Sequence, residues 1–136
     1  MNLGHTVEIV LFTNQNHYKD LCDGLKIHVI PSQVSYSITG KDIIKTERFN
    51  QFVRCFQPDV IHSHLLDAEF ASRYNTISNV AYITHWHGCH APTNPHATLE
   101  YLSKDAWWHL YSVYQLKGLY KNCDNHFLCI SEFISD

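Results

Sequence analysis

Histidines stand where strands should end in this chain. The runs Pro58-Asp59-Val60-Ile61-His62-Ser63-His64 and Tyr82-Ile83-Thr84-His85-Trp86-His87-Gly88 each pass from apolar residues to imidazoles within a few positions. An imidazole titrates near neutrality, so at such a place it can exchange a proton with a substrate, hydrogen-bond to developing charge or ligate a metal. Gly88 follows His87 directly and, lacking a Cβ, lets a ligand come close to the backbone. This makes His87 the leading functional candidate. Gly88, His64, His85 and the flat ring of Trp86 are the candidate binding contacts around it. His62 and His64 have the same strand parity and must face one side. His64 is nearer the rim, whereas His62 is expected to be buried against a backbone carbonyl. His85, His87, Cys89 and His90 crowd together with His96 close behind, which raises metal binding. Zinc needs convergent ligands, and no C-x-x-C pair or carboxylate completes a pattern here, so the expectation is no metal and no resident cofactor.

The flanking sequence supplies elements that would hold those side chains. Residues 7–13 and 25–30 are short, β-branched segments, the second stopped by Pro31, and both suit strands. From Thr46 to Gln57, Phe49, Phe52, Val53 and Phe56 recur at helical spacing with Thr46 available as a cap; Pro58 forces the helix to stop. Residues 59–63 form the third strand. Residues 66–77 return to helical period, with Phe70, Tyr74 and Ile77 on one side and Glu69 and Arg73 largely on the other. Residues 80–84 form the fourth strand, and residues 88–95 a loop rich in Gly, Pro and Asn. A long helix is predicted over roughly 98–121, with a break near Gly118, and a fifth strand over 125–131. Strands alternating with helices imply right-handed parallel crossovers and an α/β, Rossmann-like sheet with helices on both faces. Open sheets of that kind bind ligands outside the carboxyl ends of their strands, which is where the histidines fall.

Composition narrows the functional classes. The chain has 136 residues, 45% hydrophobic and 17% charged, which suits one globular domain. A formal net charge of -3 and no basic stripe argue against nucleic acid as a partner. Five cysteines, an odd number without a C-x-x-C pair, argue against a disulfide framework and for a reducing compartment, where most would act as small buried hydrophobes. No stretch nears the ~20 apolar residues of a membrane span, so a cytoplasmic location is expected. Peripheral contact with a membrane through the aromatic-rich helix is the lesser alternative.

Four segments together resemble a known family. Leu3-Gly4-His5-Thr6-Val7-Glu8-Ile9-Val10, Pro58-Asp59-Val60-Ile61-His62-Ser63-His64, Thr84-His85-Trp86-His87-Gly88 and Cys129-Ile130-Ser131-Glu132-Phe133-Ile134 occur in the order found in the N-terminal domain of family-4 retaining glycosyltransferases with two Rossmann domains, the GT-B architecture. The resemblance implies that residues 1–136 are an acceptor-side domain lacking the family's first strand and glycine-rich loop, with the donor-gripping C-terminal domain absent. It implies transfer of a hexose from a sugar nucleotide, as co-substrate, to a glycan or glycolipid acceptor in the full enzyme, with anomeric configuration retained and no metal required. His87 would then be catalytic, near the transferred sugar or the acceptor hydroxyl, and Trp86 would stack on a sugar ring. Such a chain is expected to be inactive alone and marginally stable, because apolar surface and strand edges are left open. Two other readings stay open: a non-catalytic carbohydrate- or small-molecule-binding α/β module, and a metal-binding protein built on the histidine cluster.

Overall fold

A computed structural model of the chain describes residues 4–13, 22, 24–37, 39, 41–86 and 104–129. Their order is β1 (Glu8–Leu11), β2 (Lys26–Val29), β3 (Gln33–Ser35), β4 (Ile43–Lys45), α1 (Glu47–Phe56), β5 (Val60–His64), α2 (Leu66–Arg73), β6 (Ala81–Trp86), α3 (Lys104–Tyr120) and β7 (Asp124–Cys129). The class is α/β, with a three-stranded parallel sheet, β5-β6-β7, flanked by helices as in a fragment of a Rossmann-like domain. All five predicted strands and all three predicted helices are present. Their hydrogen bonding is divided, however: β1 pairs in parallel with β2, and this pair is separate from the three-stranded sheet.

An antiparallel pair, β3-β4, was not expected from the sequence. Its strands are three residues each, too short for alternation to register as a period. The pair is nevertheless structural, because Val34 is buried with Phe70 and Ala71 of α2 and Leu116 of α3. Phe12, Tyr36, Leu66, Tyr74, Leu119 and Tyr120 close around that cluster.

The helix boundaries follow local chemistry. Thr46 stands at the N-cap of α1, but its hydroxyl accepts from the Asn50 side-chain amide rather than from a backbone N–H. Gln57, just before Pro58, leaves the helix in the left-handed region at φ 52°, with its N–H donated to Val53 O. Phe49 and Val53 form the buried stripe of α1, and the Phe49 ring meets Phe12 edge-on at 5.3 Å. Helix α3 runs unbroken through Gly118, contrary to the predicted break. Trp107 of α3 is exposed, and among the described residues of that helix the buried stripe runs through Ser112 and Leu116. Gly4 has φ +77°, in the left-handed region that favours glycine.

The cysteine expectation needs revision. Cys55 is exposed and Cys22 and Cys123 are half-buried, so none of these three is a core residue. Cys55 sits on α1 away from its Phe49–Val53 stripe, and Cys123 lies in the turn leading into β7. No described helix is long and apolar enough to cross a membrane.

Candidate functional site

Parallel pairing of β5 with β6 aligns Val60 with Ala81 and runs in step to His64 opposite His85. Because side chains alternate across a strand, this register sorts the two strands into faces of opposite chemistry. His62, His64 and His85 share one face. Ser63 and Thr84 share the other, where α2 and the end of α3 pack.

On the first face the three imidazoles form a cluster. The His62 and His64 rings lie 4.4 Å apart, His64 and His85 4.7 Å, and His62 and His85 5.4 Å. His64 is the last residue of β5, and His85 is one from the end of β6, so both reach the carboxyl rim as predicted. His62 is exposed rather than buried, because α2 and the end of α3 pack on the opposite, Ser63 face of β5. His85 is half-buried beside it. Trp86 closes β6, paired in register with Cys129, and its side chain lies outside the described residues. His87, Gly88, Cys89, His90 and His96 also lie outside them.

The second face carries an arrangement that the sequence did not predict. Glu69 and Arg73, one turn apart on α2 and expected on its outer side, are 3% and 1% exposed. The guanidinium donates to four neutral oxygens: Nε to Asn125 Oδ1 at 2.7 Å, Nη1 to Ser63 Oγ at 3.1 Å and Ser72 Oγ at 2.9 Å, and Nη2 to Thr84 Oγ1 at 2.9 Å. Its carbon also lies 5.5 Å from the ring centroids of Tyr82 and Tyr120. The Tyr120 hydroxyl donates to Glu69 Oε2. Burial is the largest influence on each charged member. It raises the Glu69 carboxyl above its ordinary value, only partly offset by Tyr120, Arg73 and Thr84, and lowers the Arg73 guanidinium against the pull of Glu69. Tyr120 is pushed up by burial and then by its bond to Glu69.

This network ties α2 and α3 to all three strands of the parallel sheet and thereby holds the strand ends in place. The clue to it in the sequence was the set of small polar residues at inward strand positions: Ser63, Thr84 and Asn125 face inward, which calls for a buried donor between them. Tyr82 adds a further tie, since its hydroxyl accepts from the Ile77 N–H at 2.9 Å and so fixes the turn entering β6.

Between the rim and α2 stands Leu65, with φ 71° and ψ 155°, a region open in practice only to glycine. It is 71% exposed, so no burial of its side chain offsets the backbone strain. The turn that lifts the chain from His64 into α2 is thus a strained one.

Comparison with known proteins gives one positive result. The family model described as Glycosyltransferase Family 4 matches residues 1–136. No curated protein and no solved structure matches the chain.

Proposed function

Since the chain belongs to glycosyltransferase family 4, we propose that it forms the acceptor-side wall of a retaining, two-domain transferase that moves a hexose from a sugar nucleotide to a glycan or glycolipid. Family membership ties the chain to sugar transfer, with a sugar donor and an acceptor as its partners in general. The observation supporting the finer reading is the pairing of His64 with His85 at the ends of adjacent parallel strands, at the rim where open α/β sheets hold ligands. In this reading His87, two residues beyond His85 in the sequence, acts on the reacting sugar, and Gly88 lets it approach. His64, His85 and Trp86 contact the acceptor, and no metal takes part in the transfer. A hydrogen-bond donor aimed at charge that develops in the transition state contributes far more there than in the ground state.

The donor would be gripped elsewhere in the enzyme, so the 136-residue chain is expected to bind acceptor without turning over. Two measurements test this. Titrating an isotope-labelled chain with an oligosaccharide should shift the amides of Ser63–His64 and Thr84–Trp86, while uridine and guanosine diphosphate sugars shift them weakly. In an enzyme containing this chain and a donor-binding domain, His87→Ala should lower kcat by about 10²-fold or more with a smaller change in acceptor KM. Turnover by the isolated chain, or an unchanged kcat in the variant, would overturn the reading.

A further inference from the structure

We propose that His62, His64 and His85 together form a binding site for a late first-row divalent cation, with zinc the best suited. One ligand nitrogen from each of the three residues can be chosen so that all lie within 4.8 Å of one another. Zinc–imidazole bonds of about 2.0–2.1 Å on a tetrahedron place their nitrogens about 3.3 Å apart, so the rings need draw in by only about 1.5 Å. His62 and His64 are exposed, so that adjustment displaces no core packing, while β6, paired on both edges, holds His85.

The ligand chemistry selects the ion. Three imidazoles with no carboxylate among them are a poor match for magnesium or calcium, which demand oxygen ligands, and a good one for zinc, cobalt, nickel or copper. Three protein nitrogens leave the fourth zinc position open to water, and an ion held there would take no part in sugar transfer. The local cluster around His85 to His90 offered no complete ligand set in the sequence. The set found here uses only His85 of that cluster, and the strand register supplies the other two ligands from residues more than twenty positions away. The alternative is three histidines, two exposed and one half-buried, brought together by strand alternation alone. That reading predicts no saturable ion binding.

The proposal does not rest on the sugar-transfer reading, because its readout is the metal alone. The tag-free chain would be titrated with Co²⁺ followed by visible absorption, and with Zn²⁺ by calorimetry. One equivalent of either ion is expected to bind, with the absorption intensity of a low-coordinate cobalt site, and Zn²⁺ should raise the melting temperature. His62→Gln, His64→Gln and His85→Gln should each weaken binding about tenfold or more, whereas His126→Ala and the double variant His90→Ala/His96→Ala should leave it within about twofold. Far-UV circular dichroism identifies any variant that fails to fold. His62, exposed and outside the buried network, is the variant to rely on if the others do fail. Absence of saturable binding below about 100 µM, or loss of binding in the His90/His96 or His126 variants rather than in the trio, would overturn the assignment.

Discussion

Arg73→Ala would strand Asn125, Ser63, Ser72 and Thr84 without their shared donor and leave the Glu69 carboxylate without a nearby cation. Breaking one side of a buried charged network costs about 3–5 kcal/mol, so the variant is expected to lose most of the chain's stability in a urea titration. Glu69 makes a second, pH-dependent prediction. Its carboxyl is held above the ordinary value of 4.5 chiefly by burial, so the folded state keeps the proton longer than the unfolded one. Its contribution is therefore complete below pH 4.5 and is lost as pH rises through the raised folded value. Glu69→Gln should flatten that fall in urea midpoints measured from pH 4.5 to neutrality. The sequence showed the histidines at the rim, because a change from apolar to imidazole residues is visible along the chain. It hid Glu69 and Arg73, because the helical wheel puts charges outward by default and only the facing strands reveal what lies opposite them.

Among the elements, α2 has the most neighbours of different kinds: β3 and α3 on its apolar side and β5 beneath its polar one. Phe70→Ala would open a cavity against Val34, Leu116 and the edge-on ring of Tyr36, costing about 3–5 kcal/mol in denaturant unfolding and loosening β3-β4 first. Leu65→Gly should act in the opposite sense. It relieves the strained φ of 71° at the start of α2 and should stabilise the chain by about 1 kcal/mol after the entropic cost of glycine, read as a shift in urea midpoint. Helices were legible from their period, and the parallel strands from β-branched apolar runs bounded by stop signals. The β3-β4 pair was not, since three-residue strands carry no period and are held by burial of Val34 against a helix distant in sequence.

In the molecule as a whole, strand pairing is uneven. β6 alone among the described strands is bonded along both edges, while the β1-β2 and β3-β4 pairs are two-stranded. Two-stranded units have little stability of their own, so amide exchange should be slowest at Tyr82–His85 and faster in β1 to β4 by mass spectrometry. Exposed Val60 and Leu128 on the histidine face leave apolar area there in contact with solvent. The class and the order of elements could be read from the chain because they follow from local pattern. The division into separately bonded groups could not, because it depends on which edges meet. One consequence follows from the β5-β6 register. Strand parity makes Ser63 a partner of the buried network and His64 a member of the imidazole cluster, though they are adjacent in sequence. Inserting or deleting one residue within β5 would exchange the two sides, turning imidazole toward the guanidinium and hydroxyl toward solvent. Such a strand tolerates replacement of its letters far better than a change in their number, so variation among related chains should enter this rim by substitution and leave its length alone.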